Sequence, residues 1–88
     1  MAYAVQVSSG AERELAHLPS EIQARIAKAL RKLSENPRQG AGVKKLRGQP
    51  DGYRLRVGDY RVLYEVHDKR RLVFVVKLGH RRDVYRYL

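Results

Sequence analysis

The chain has 88 residues, is 43% hydrophobic, and carries 19 lysines and arginines against 9 acidic residues, a formal charge of +10. That length means one small domain, expected over residues 1–88, with enough apolar content to fold rather than stay disordered. There is no apolar run near the roughly 18 residues of a membrane span, no basic-then-apolar leader and no cysteine. These features exclude a membrane protein, a disulfide framework and a thiolate zinc site, and they fit the cytoplasm.

The charge is uneven. Residues 1–37 hold 5 basic and 4 acidic groups, whereas residues 38–88 hold 14 basic and 5 acidic. One reading is a well-solvated basic surface. The other is a directed field that meets a polyanion, RNA first among them, and the asymmetry favours it because solubility needs no such bias.

Residues 2–8 alternate, with Tyr3, Val5 and Val7 on one face, and read as a strand. Ser9 and Glu12 then have the spacing of a capping box, followed by an apolar stripe at Ala11, Leu15 and Leu18. Pro19 breaks that helix, and Ser20 with Gln23 repeats the capping signature. Ile22, Ile26, Ala29, Leu30 and Leu33 define a second amphipathic helix, ended by Asn36-Pro37. Its outer face holds Arg25, Lys28, Arg31, Lys32 and Glu35. Residues 37–52 are rich in glycine and proline and read as a loop, tacked to the core by Val43 and Leu46.

Three strands are expected at 53–57, 60–67 and 71–79. Gly58-Asp59 joins the first two as a tight hairpin, and Asp68-Lys69-Arg70 is the second turn. The run Leu72–Val76 is apolar at every position and reads as a central strand covered on both faces. Residues 83–88 form a helical turn or a tail. The fold class is α+β in the order β-α-α-β-β-β. A twisted, mostly antiparallel sheet is expected, with a helical hairpin packed on one face and the other face open.

Register gathers the candidate site. A two-residue turn at Gly58-Asp59 pairs Val57 with Tyr60, Arg56 with Arg61, and Arg54 with Leu63, so Arg54, Arg56 and Arg61 share a face. Tyr53, Leu55, Val57, Val62, Tyr64 and Val66 take the other, toward the helices. Opposed arginines repel and call for an anion. Either Glu65, on the same face by parity, ties them into a salt-bridged cluster, or the face grips phosphate, which guanidinium groups do bidentately. His80, Arg81 and Arg82, with Tyr85 and Tyr87 beyond, mix basic and aromatic groups as single-stranded RNA sites do. Lys44, Lys45 and Arg47 form a third cluster, either a non-specific RNA contact or plain solvated loop. His17, His67 and His80 lack ligand spacing, so no metal or other cofactor is expected. His17 reads as a solvent-facing helix residue and His67 as a strand cap at a turn. Nucleotide-binding and nucleophile-elbow motifs are also missing.

The element order, the loop Lys45-Leu46-Arg47-Gly48, the stretch from Gly52 to Tyr64 with its Gly-Asp-Tyr-Arg core, and the ending from Gly79 to Tyr85 resemble the RelE toxins of the RelE/ParE superfamily. The resemblance spans nearly the whole chain. It implies the toxin of a type II toxin–antitoxin system that enters the ribosomal A site and cuts messenger RNA. In that reaction the 2′-hydroxyl attacks the neighbouring phosphate and the 5′-oxygen leaves.

By position, the resemblance places Arg54 and Arg56 where well-known members have substrate-binding lysines, one of them the base. Arg61 falls on the transition-state stabiliser, Arg81 on the general acid, and Tyr85 on an aromatic that orients the substrate. It also implies an acidic RelB-like antitoxin that covers the basic face and supplies the contact to operator DNA.

Both lysine positions are arginine here, and a guanidinium is a poor proton acceptor, which leaves the base unassigned. His80 is the nearby group that titrates near neutrality, so it is either a substitute acid or base or a plain strand-end histidine. Loss of the lysines fits a ParE-like inhibitor of DNA gyrase, and retention of Arg61, Arg81 and Tyr85 fits the ribonuclease. A non-toxic RNA-binding module is the third reading.

Overall fold

The computed structural model describes residues 2–87. The chain runs β1 (Ala4–Val7), α1 (Ser9–Ala16), α2 (Ser20–Glu35), β2 (Val43–Lys45), β3 (Gly52–Val57), β4 (Tyr60–His67), β5 (Leu72–His80) and α3 (Arg81–Val84). Single 3-10 turns cover Asp68–Arg70 and Tyr85–Tyr87. The five strands form one sheet in the order β1-β5-β4-β3-β2. Among the described residues only β1 and β5 pair in parallel, and the chain from α1 through β4 supplies the long connection that a parallel pair requires.

The α1–α2 hairpin packs on one face of the sheet. Ile26, Leu30 and Leu33 of α2 meet Tyr53, Leu55, Val62, Tyr64, Val66, Val73 and Val75 in one continuous core. Ile26, Val62, Val73 and Val75 are fully buried, and each contributes about 1.5–3 kcal/mol by leaving water. Tyr53 and Tyr64 stack with ring centres 5.8 Å apart. The buried Tyr64 hydroxyl donates to the Pro37 carbonyl at 2.6 Å, fastening the start of the 37–42 loop.

Several local expectations need correction. The α1 cap is Ser8, whose Oγ accepts from Ala11 N–H at 3.1 Å, so Ser9 is already helical. Ser20 likewise sits inside α2, after Pro19, and Gln23 instead donates its side-chain amide to the Leu18 carbonyl at 2.9 Å. The 37–52 loop contains a strand, β2, antiparallel to β3. It forms because Gly42, at φ +82, brings its carbonyl to Arg56 N–H at 3.0 Å; a β-carbon there would lie 2.8 Å from the Arg56 carbonyl oxygen. Lys44 therefore pairs with Arg54, and Lys45 with Tyr53.

The strand β5 is central, as its composition suggests, but it is not covered on both faces. Val73 and Val75 are buried, Phe74 is half-buried, and Val76 is 38% exposed. A bulge lies opposite Leu63 and Tyr64, where Leu63 pairs with Lys77 but Tyr64 with Val75. The extra residue inverts the side-chain alternation for the rest of β5. The outer face is also less open than the element order implies. The segment α3 folds back on it, its Val84 fully buried and packed near Gly79.

Candidate active site

The hairpin at Gly58-Asp59 fixes the centre of the outer face. Gly58 has φ +58 at the first central turn position, which suits a glycine there and holds the strands in the expected register. Arg56 pairs with Arg61, Arg54 with Leu63, and Arg61 with Gly79 of β5. The glycine at 79 leaves room for the C-terminal segment above Arg61. There the Arg61 guanidinium carbon lies 5.8 Å from the Tyr85 ring centre.

Arg61 is only 6% exposed. Its Nη1 donates to the carbonyls of Gly58 and Tyr60, both at 2.9 Å, and its Nε is buried without a hydrogen-bond partner. The Nε of Arg54 is buried and unpartnered in the same way. The ion pairs among the described residues join Arg38 to Asp68, His67 to Asp51 and Glu65, and Lys77 to Glu14. None reaches Arg54, Arg56, Arg61 or Arg81, and Glu65 is turned to His67 at 2.8 Å, so the salt-bridged cluster around Glu65 does not form. A buried cation without a counter-charge is costly, and a bound anion removes that cost.

Arg56, Arg61 and Arg81 line one shallow depression of about 420 Å³, with Gly42, Gly58 and Asp59 in its walls. Arg81 is exposed and starts α3, and its backbone N–H donates to the Asp59 carbonyl at 2.7 Å. Tyr85 is 48% exposed. Hydrogen bonding and charge from Arg61 hold its phenol below the ordinary 10.0, with Arg54 and Arg81 adding to the effect. Beside this depression, Lys44, Lys45, Arg47 and Arg54 line a second hollow of about 590 Å³.

Three predicted residues lie outside the Arg56–Arg61–Arg81 depression. Lys45 turns its ammonium to the carbonyls of Leu46 and Gln49, 5.3 Å above the Tyr53 ring. His80 pairs with Tyr60 and packs edge-on against its ring with centres 5.6 Å apart, on the helix-side face. Its Nδ1 accepts from Arg82 N–H at 3.3 Å, which makes it the cap of α3. The β5 bulge is the cause, since uninterrupted alternation carries residue 80 to the arginine face. Arg82 is exposed and lies outside the lining of the Arg56–Arg61–Arg81 depression. His17 is exposed but caps the C-terminal end of α1 rather than lying within the helix, and His67 ends β4 between Asp51 and Glu65, as the sequence suggests. Periodicity puts Arg25 on the outer face of α2, yet its guanidinium lies against Gly58, a long-range contact with no local signal.

These features define a small basic α+β domain whose outer sheet face gathers arginines with uncompensated charge around an acidified tyrosine. A family model described as the ParE toxin of type II toxin–antitoxin systems matches residues 5–85. The mRNA interferase toxin RelE of Escherichia coli (strain K12) is 39% identical over 89 residues, covering 97% of this chain and 92% of that protein. The structure of a free-state mutant of the E. coli toxin RelE superposes with a TM-score of 0.84 at 34% identity, over 99% of this chain and 92% of that one. The intact E. coli RelBE toxin–antitoxin complex contains a chain that superposes at 0.80 with 34% identity, covering 90% and 96%. The chain belongs to the RelE/ParE toxins of type II toxin–antitoxin systems, and these relatives put it with the RelE toxins.

Proposed function

We propose that the chain is a messenger RNA endoribonuclease, the toxin of a type II toxin–antitoxin pair, and that it cuts on the ribosome. The observation that carries this reading is Arg61, buried and charged with no carboxylate partner among the described residues. A phosphodiester bound in the Arg56–Arg61–Arg81 depression supplies the anion that the fold withholds. Attack of the 2′-hydroxyl on that phosphate builds charge on its oxygens, and the guanidinium groups of Arg56, Arg61 and Arg81, of which Arg61 is held by two backbone carbonyls, stabilise that charge more than they stabilise the ground state.

Tyr85 takes the 2′-hydroxyl proton. Its ring is exposed 5.8 Å from the Arg61 guanidinium carbon, and its phenol is lowered by Arg61, so it loses its own proton more readily than an ordinary tyrosine. His80 has no part in the transfer, because its ring lies on the other face. As the 2′-oxygen bonds to phosphorus the bond from phosphorus to the 5′-oxygen breaks, leaving a 2′,3′-cyclic phosphate, and the departing 5′-oxygen, hydrogen-bonded by Arg81, takes its proton from solvent water. Arg54, Lys44 and Arg47 hold the flanking backbone. Arginines in place of family lysines make the domain a weak catalyst by itself, and the ribosome aligns the messenger for it. Such work lies in the cytoplasm. The partner in the resting cell is an acidic RelB-like antitoxin, and operator DNA is reached only through it.

Controlled expression with mapping of messenger 5′ ends tests this. Cuts inside translated codons are expected. Growth arrest with intact messages and damaged DNA would move the chain to gyrase inhibition, and no arrest would leave an RNA-binding module.

A further inference from the structure

The Gly58-Asp59 turn is hydrogen-bonded to both arginines that flank the reacting phosphate in the proposed reaction. The Gly58 carbonyl accepts from Arg61 Nη1 at 2.9 Å, and the Asp59 carbonyl accepts from the Arg81 backbone N–H at 2.7 Å. From the other side, Arg25 of α2 backs the turn. A β-carbon built on Gly58 would lie 3.1 Å from Arg25 Nη2 and 3.6 Å from its central carbon, so the guanidinium lies against the glycine. One two-residue turn is thus tied to β4, to α3 and to α2.

The choice of neutral partners has a physical consequence. A carboxylate would orient Arg61 firmly but would also cancel its charge, whereas backbone carbonyls orient it and leave the full positive charge for substrate. We propose that Arg25 and the Gly58-Asp59 turn are positioning residues, which act through Arg61 and Arg81 by setting the spacing between them. The inference rests on the ribonuclease reading wherever cleavage is the readout. Displacements near 1 Å in such constellations cost on the order of 10²-fold in rate. The turn has little slack, because Gly58 sits at φ +58 and Arg25 fills the space where a side chain would go.

Full-length Gly58→Ala and Arg25→Ala are compared with wild type in two assays, after thermal melts confirm that each folds. In cleavage of a defined messenger on ribosomes, kcat falls about 10- to 100-fold while KM stays within about 2-fold. In the free protein, the Tyr85 phenol is titrated by ultraviolet difference against Tyr85→Phe. The groups facing it are Arg61, Arg54 and Arg81, and in Gly58→Ala its pKa climbs back toward the ordinary 10.0 as Arg61 moves away. A folded Gly58→Ala protein with wild-type kcat, or with wild-type titration of Tyr85, overturns the proposal. If Gly58→Ala does not fold, the exposed Arg25→Ala substitution decides by the same criteria. If wild type itself cuts no messenger, the ribonuclease reading fails and the titration alone decides the positioning role.

Discussion

The guanidinium carbon of Arg61 lies 5.8 Å from the centre of the Tyr85 ring, a buried charge facing an exposed phenol. Arg61 comes from the middle of the sheet and Tyr85 from the last turn of the chain. Their meeting makes Tyr85 more acidic and brings it over the arginine face.

The first prediction concerns pH. A tyrosine that accepts a proton works as phenolate, so single-turnover cleavage rises with pH and levels off at the lowered Tyr85 pKa, below 10.0. Tyr85→Phe removes that rise and slows cleavage by about 10²- to 10⁴-fold. An unchanged pH profile in Tyr85→Phe would remove Tyr85 from the proton transfer.

Arg61→Ala should reduce messenger cleavage by at least about 10²-fold, the scale of losing one preorganised donor to a transition state. The protein still folds, since Arg61 lies outside the helix-side core, but loss of its two turn hydrogen bonds costs about 1–3 kcal/mol. Arg61→Lys does not restore the rate, because an ammonium lacks the planar fork that holds the turn and the phosphate together. Melting curves and 5′-end mapping check both halves, and wild-type cutting by Arg61→Ala refutes the site.

Salt separates Lys44 from Lys45. Lys44 shares the arginine face, whereas the Lys45 ammonium is taken up by loop carbonyls. Lys44→Ala, Arg54→Ala and Arg56→Ala should each reduce the slope of log affinity for single-stranded RNA against log salt by about 0.7. Lys45→Ala leaves the slope unchanged. Equal losses from Lys44 and Lys45 would contradict the register.

Capping offers a test of the fold. Ser8→Ala removes the bond to Ala11 N–H and costs about 1 kcal/mol, or about 4–8 °C in Tm for a domain of this size. Ser9→Ala is near neutral. Thermal melts of the two variants give the answer, and a reversed order would place the cap at Ser9.

Acid stability carries a sign. Arg38 hydrogen-bonds Asp68 through both carboxylate oxygens, at 2.8 and 3.1 Å, and with Tyr3 holds its carboxyl below the ordinary 3.8. A depressed carboxyl contributes stability that is complete above the unfolded pKa and is lost as pH falls through the folded one. The loss therefore falls below about pH 3.8. Asp68→Asn is expected to lower stability near neutrality and to flatten this acid limb, as denaturant melts across pH would register. An acid limb as steep as wild type's would assign the transition to other groups.

Much of the fold is legible locally. The periodicity of Ile22, Ile26, Ala29, Leu30 and Leu33 marks α2, and alternation marks β3 and β4. The α1 cap is misread by one residue because serines occupy both positions 8 and 9, and the backbone angles and side-chain hydrogen bond at Ser8 distinguish them. The strand β2 is hidden because three residues carry no period, and its pairing depends on Gly42 meeting Arg56 from across the loop. His80 is misplaced as a candidate because a bulge is a property of two paired strands, with no mark in either one alone.

By itself the sequence determined the arginine face. The covalent spacing of a two-residue turn and the two-residue period of a strand put Arg54, Arg56 and Arg61 together before any packing is known. Only the tertiary structure decided what that face can do. Arg61 is buried without an ion pair among the described residues, Glu65 is turned to His67, and Tyr85 arrives beside Arg61 because the β5 bulge and the seating of Val84 near Gly79 direct the chain's end back over the sheet. Parity along a strand is local and survives any packing, whereas burial, charge compensation and the pKa of a phenol are set by residues distant in sequence and close in space.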